Sequence, residues 1–182
     1  TCSNGSRNRS AAMPDPPLLV AMCGIPFSGK TTVARELSVR CGLALVSVDA
    51  IVHELGIDLG SEAVEHRGWA RAMAEGFAQA RRLLAEGRSV VYDHANHSRR
   101  NRDRCRRVAM QAGATFRLVW VDTPVEEARR RLLANRVSPA RNDVPDASFS
   151  EIVAQFEPPT DEPDVIHWQP GMKIENLTGE IS

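Results

Sequence analysis

The sequence predicts an α/β fold, a three-layer α/β/α sandwich on a mainly parallel five-stranded sheet with a small lid. Three observations predict it. Short continuous apolar runs such as Leu18–Cys23 read as strands buried on both faces, which parallel sheets require. These runs alternate with longer segments of helical spacing, the order that right-handed crossovers produce. Gly24, Asp49, Asp93 and Asp122 close four of the runs, so polar chemistry collects along one edge of the sheet, where open α/β sheets bind ligands.

Taken in order, Pro14, Pro16 and Pro17 form a stiff leader into the first strand, Leu18–Cys23. Residues 31–41 carry apolar positions at Val33, Leu37 and Cys41, and Gly42 suits the stop of that helix. The run 43–48 is the second strand and leads to Asp49. Residues 62–86 are rich in Ala, Arg, Glu and Leu and predict a long helix, broken near Gly76 and closed by Gly87. The third strand is 89–92, followed by a basic helix over 98–111 that Gly113 stops, and by a fourth strand over 116–121. Thr123 and Pro124 open the next helix, through Leu133. Residues 136–147 hold Pro, Asn, Asp and Arg and read as a loop; 148–156 is a short helix, and Val165–Trp168 the fifth strand.

A chain of 182 residues can bury one full domain core, and 42% hydrophobic with 25% charged residues excludes a disordered chain. Lys plus Arg and Asp plus Glu both number 23, which argues against a surface given over wholly to nucleic acid while leaving room for a local basic patch. Cys2, Cys23, Cys41 and Cys105 form no CxxC pair and read as reduced thiols. No apolar stretch is long enough to span a bilayer and the first residues lack a secretory core, so a cytoplasmic location is expected. The expected organisation is a disordered or cloning-derived leader over 1–15, a domain over 16–170 with its lid at about 136–147, and a tail over 171–182.

The strongest motif follows the first strand. Gly24, Ile25, Pro26, Phe27, Ser28, Gly29, Lys30 and Thr31 fit GxxxxGK[ST], between a strand and a helix, as the motif's mechanism requires. Glycines let successive amides point inward at phosphate oxygens, and the helix N-terminus adds positive potential. These residues, with Thr32, are expected to cradle ATP; Lys30 would reach the β- and γ-phosphates and Thr31 would help hold Mg²⁺. Chance produces the pattern in roughly 1% of chains this long. The chain has no NKxD segment for guanine and no LSGGQ-like segment, which leaves the small kinases.

Further motifs follow in a fixed order: Val46 to Asp49, Val90 to Asn96 with Ser98 and Arg99, Val121 to Pro124, the pair Arg131 and Arg136, and Phe156 to Pro159 with Glu162. From Leu18 to about Pro163 the chain resembles the AAA_33 group of P-loop kinases, around polynucleotide kinase, the zeta toxins and chloramphenicol phosphotransferase. The resemblance implies an acceptor hydroxyl bound over the second strand, with Asp49 as general base. A carboxylate at that strand end also suits proton acceptance on physical grounds, and it equally suits a helix cap. In similar kinases an arginine follows that aspartate by about a turn. Here Val52 and His53 stand there, and His53 is a candidate substitute.

Asp93 is expected to orient Mg²⁺ or touch the substrate, with a capping role as the plain alternative, and Asn96 to assist it. His94 and His97 have no third partner for a transition-metal site. By resemblance Arg131 and Arg136 belong to a lid over the triphosphate, with Arg141 a third candidate. Guanidinium groups there would stabilise the transferring phosphoryl, and their plain alternative is a solvated helix face. The basic helix carries Arg99, Arg100, Arg102, Arg104, Arg106 and Arg107 on more than one face; it reads first as solvated and second as a surface for a phosphate-bearing ligand or polyanion. Trp69 is expected to stack on substrate or pack in the core, and the Phe156 to Pro159 segment to lie near the adenine or the lid hinge. The resulting expectation is an ATP-dependent, Mg²⁺-dependent kinase acting on a hydroxyl of a small molecule. Alternatives are a polynucleotide 5′-hydroxyl kinase, a zeta-toxin-like nucleotide-sugar kinase and a non-catalytic ATP-binding module.

Overall fold

The structure is a computed structural model and describes residues 15–57, 62–139 and 143–181. The expected leader up to residue 14, Cys2 and Arg141 lie outside the described residues. In chain order the elements are β1 (Leu18–Cys23), α1 (Lys30–Cys41), β2 (Ala44–Ser47), α2 (Val48–Glu54), α3 (Glu62–Ala85), β3 (Val90–Asp93), α4 (Arg99–Gln111), β4 (Thr115–Val121), α5 (Val125–Val137), α6 (Asp146–Ala154), β5 (Val165–Trp168) and α7 (Ile174–Ile181).

The five strands pair in parallel in the order β2-β3-β1-β4-β5. The α/β/α sandwich is therefore the one the apolar runs predict. Period-2 alternation divides the core into two layers. Leu19, Ala21, Cys23, Val90, Tyr92 and Leu118 pack with α3 and α4 on one face. Val20, Met22, Val91, Val119 and Val121 meet α1 and α7 on the other. β1 is central because it is apolar on both sides, with Leu19 to Cys23 no more than 1% exposed.

Four local expectations differ. The second strand stops at Ser47, whose hydroxyl accepts the Ala50 amide at 3.4 Å and so caps α2; Asp49 falls in the first turn of that helix instead of closing a strand. α3 runs unbroken through Gly76, because the glycine there serves packing: a Cβ would lie 3.1 Å from the Tyr92 ring. α5 continues one turn past Leu133 to Val137, into the segment expected as a loop. Residues 174–181, read as tail, form α7, with Leu177 at 1% and Ile181 at 8% exposure in the second core layer and Glu175 2.9 Å from Arg40 of α1.

Candidate active site

β1 delivers the glycine-rich loop to the carboxyl edge of the sheet. Gly24 adopts φ 146°, and a Cβ there would lie 2.7 Å from the Val121 carbonyl oxygen of β4, so only glycine fits. Gly29, at φ 102°, begins α1 with no side-chain cap, whereas Ser47 and Ser98 cap α2 and α4. The first amides of α1 and its dipole are thus the donors offered at the loop. Phe27 holds the left-handed conformation at φ 60°. Its side chain, with Ile25, is buried against Ala128 and Leu132 of α5 and Phe149 of α6, and this packing holds a backbone that would otherwise be strained.

α5 secures the loop a second way. The Ser28 carbonyl accepts from Thr123 Oγ1 at 2.8 Å and from Arg131 Nη1 at 3.0 Å. Arg131 donates its Nε to Glu127 at 2.8 Å. Lys30 Nζ lies across the loop, donating to the Ile25 carbonyl at 2.7 Å. Gly24 to Ser28 are buried, Gly29, Lys30 and Thr31 are half-buried, and Thr32 is exposed.

The other expected site residues divide into those at the open edge and those beneath it. Asp49 and His53 are exposed on α2, four positions apart on one helix face. Asp93 ends β3 beside Ser47 of β2 and is 5% exposed. Asn96 is fully buried at φ 44°; its Nδ2 donates to the Met22 carbonyl at 2.7 Å, and its Oδ1 lies 3.7 Å from Cys105 Sγ. That makes Asn96 a strut tying the end of β1 to α4. Asp122 reaches His167 of β5 at 2.8 Å. Trp69 is half-buried with its ring 6.0 Å from that of His94.

His94 and His97 sit in the connection after β3. Burial, helped by His97 whenever that ring is protonated and by the cations Lys30 and Arg104, pushes the His94 pKa down to about 3. Burial also lowers that of His97, with the Glu157 carboxylate opposing and Arg102 and Lys30 assisting. Both rings are therefore neutral at pH 7. Burial pushes Cys23 up to about 11 and Cys105 up to about 12, so neither is a thiolate.

Sequence reasoning missed the supports of this connection. Arg102 is 1% exposed on the helix read as solvated. It donates Nε to Glu162 at 3.0 Å and Nη1 to the Asn96 carbonyl at 3.0 Å, while Arg106 lies 2.8 Å from the same Glu162. Glu157, in the segment expected near the adenine or the lid hinge, accepts the Arg99 amide at the start of α4 at 2.5 Å and donates its own amide to the His97 carbonyl at 2.9 Å. Phe156 packs 6.5 Å from Trp120, which is half-buried and stacks on His167 at 4.5 Å. In the last turn of α5, Arg136 is held by Asp143 at 3.0 Å, Asp146 at 3.1 Å and the Val144 carbonyl at 3.0 Å. Of the two arginines expected in a lid, Arg131 thus stands at the loop and Arg136 is held in ion pairs with Asp143 and Asp146.

Thr31 in the first turn of α1 and Asp93 at the end of β3, the strand beside β1, both carry hard oxygen donors, the chemistry that suits Mg²⁺ completed by phosphate oxygens and water. Among the described residues no group of three His, Cys, Asp or Glu is placed to enclose an ion by itself. Also among the described residues, no helix is long and apolar enough to cross a membrane.

Comparison with known proteins agrees with this arrangement. Residues 19–159 match the family model AAA_33, described as an AAA domain. Cytidylate kinase of Pyrobaculum calidifontis is 29% identical over 136 residues, which cover 65% of this chain and 71% of that protein. A protein structure from Chloroflexus aurantiacus superposes with a TM-score of 0.76 at 18% identity, covering 91% of this chain and 96% of the other, which shows the fold. APS kinase of Mycobacterium tuberculosis, in complex with AMPPNP and APS, gives a TM-score of 0.58 at 25% identity, over 92% and 96% of the two chains. The molecule has a kinase-like P-loop fold and kinase relatives.

Proposed function

This chain belongs to the AAA_33 family of AAA domains, and on that premise we propose that it is an ATP-dependent kinase that phosphorylates a hydroxyl of a small-molecule acceptor. The observation that carries the reading is the placement of Asp49. Its exposed carboxylate stands just past β2, two strands from β1 in the sheet order. At ordinary strand spacing β2 and β1 run about 10 Å apart, which leaves room at this edge for a triphosphate and an acceptor between the loop and α2. A hydroxyl needs a base to take its proton, whereas a phosphate acceptor does not.

In this mechanism the amides of residues 24–31 and Lys30 hold the β- and γ-phosphates. Mg²⁺, held through Thr31 and Asp93, would neutralise phosphate charge. Asp49 accepts the hydroxyl proton as the acceptor oxygen bonds to the γ-phosphorus; the bond to the β-phosphate oxygen breaks, and ADP leaves. His53, on the same face of α2, and Asp93 orient the acceptor. Arg131 stabilises the transferring phosphoryl from its place beside Ser28, and Arg136 joins it by exchanging Asp143 and Asp146 for phosphate. The neutral His94 and His97 add no competing cation. ATP dependence and the free cysteines Cys23, Cys41 and Cys105 suit a cytoplasmic enzyme.

A second reading, transfer to a nucleotide phosphate, is favoured by the similarity to cytidylate kinase. One experiment separates the two. ADP release is followed with antibiotics, nucleosides, sugars, an oligonucleotide 5′ end and CMP, for the wild type and Asp49→Asn. The hydroxyl reading expects turnover with a hydroxyl acceptor and a fall in kcat of about 10²–10⁴-fold in Asp49→Asn. Turnover of CMP alone, undiminished in Asp49→Asn, would overturn it.

A further inference from the structure

Between α3 and α4 lies a cavity of about 150 Å³ lined by Phe77, Arg81, Arg104, Arg107, Val108 and Gln111. Three of these residues are arginines and none is a carboxylate. Elsewhere on α4, Arg102 and Arg106 are matched by Glu162, and Arg106 also by Asp103, while Arg99 and Arg100 in its exposed first turn form no ion pair among the described residues. Among the described residues, Arg81, Arg104 and Arg107 form no ion pair.

Arg104 is held differently. Its guanidinium lies 5.1 Å from the centre of the Phe77 ring, and that ring stacks on Tyr92 at 4.9 Å. A cation–π contact fixes the plane of a guanidinium while leaving its N–H groups to donate in that plane. Three like charges around one cavity repel one another, and an anion relieves that repulsion. Gln111 adds an amide donor.

The position separates this cavity from the glycine-rich loop. Arg81 is near the end of α3 and Gln111 is the last residue of α4. Those helix ends lead into the amino ends of β3 and β4, whereas the loop is at the carboxyl edge.

We propose that this cavity binds the phosphate group of a small phosphorylated ligand, at a site distinct from that for ATP. A tetrahedral anion with several acceptor oxygens matches guanidinium forks, and the volume accommodates a phosphate or diphosphate group. A polynucleotide fits less well, since single strands bind along aromatic platforms and Phe77 is only 4% exposed.

The test uses inorganic pyrophosphate and calorimetry. It is titrated into the full chain carrying Lys30→Ala, which weakens the loop as a competing site, and into the same chain also carrying Arg81→Gln and Arg107→Gln. Both of these arginines are exposed, so thermal unfolding should be unchanged without ligand. Saturable binding is expected in the first protein and binding at least about tenfold weaker in the second. Equal affinity in the two, or no saturable binding in the first, overturns the proposal. Binding of a single-stranded oligonucleotide without binding of pyrophosphate also overturns it, in favour of nucleic acid.

Discussion

Gly24 shows how one residue can fix the chemistry of an edge. Its φ of 146° is open to glycine, and the nearest neighbour to a Cβ is a backbone carbonyl of the sheet, which cannot move aside. Gly24→Ala should therefore cost about 3 kcal/mol or more and lower the Tm by several degrees. Gly42→Ala is the control: φ is 67°, but nothing lies within 4 Å of the added carbon, so only the backbone cost is incurred. Scanning calorimetry of both variants checks this, and equal shifts would contradict it. The glycines of the loop and Lys30 were legible because the motif spells out its own geometry. The structural bond of Asn96 was not: nothing local in the sequence joins its amide to the Met22 carbonyl.

At the scale of elements, the connection after β3 is held by α4 and by the segment that follows α6. Arg102 and Glu162 are separated by 60 residues, at 1% and 3% side-chain exposure, and no local pattern joins them. Arg102 does share the buried stripe of α4 with Cys105, Val108 and Ala109, so helical periodicity carried a signal that the run of arginines obscured. Glu162→Gln removes the charge opposite a buried guanidinium and should destabilise the fold by about 3–5 kcal/mol. Burial alone would raise the Glu162 pKa; hydrogen bonds from Arg102 and Arg106, with their charges, reverse this and leave it below 4.5. The ionised carboxylate thus stabilises the protein fully above pH 4.5, and that stabilisation is lost as pH falls through the lowered value. Thermal unfolding between pH 3 and 7 should show a steeper acid loss for the wild type than for Glu162→Gln; parallel curves would contradict the pairing. Gly76 misled in the same way, since a glycine required by Tyr92 looks in sequence like a helix breaker.

Across the whole molecule, the sheet was the most legible feature. Buried strands on both faces of a parallel sheet must be apolar throughout, and each must end where polar groups can meet water, so strand positions and the binding edge are written together in the chain. What depends on distant partners was not written there: the docking of α7 through Leu177 and Ile181, the hold of Arg136 on Asp143 and Asp146, and the grip of Arg131 on the Ser28 carbonyl. The shift of Asp49 from a strand end into α2 turned on one hydroxyl, that of Ser47. The loop at the end of β1 carries one lysine, Lys30. The most direct measurement is ADP formation from ATP by the wild type and by Lys30→Ala, with the Tm of each recorded. Turnover should fall by at least about 10²-fold in the variant while the Tm stays within a few degrees, since the side chain is half-buried and its bonds to the Ile25 carbonyl and Ser28 hydroxyl lie within the loop that it serves. Undiminished ADP formation in a folded Lys30→Ala protein would contradict the account.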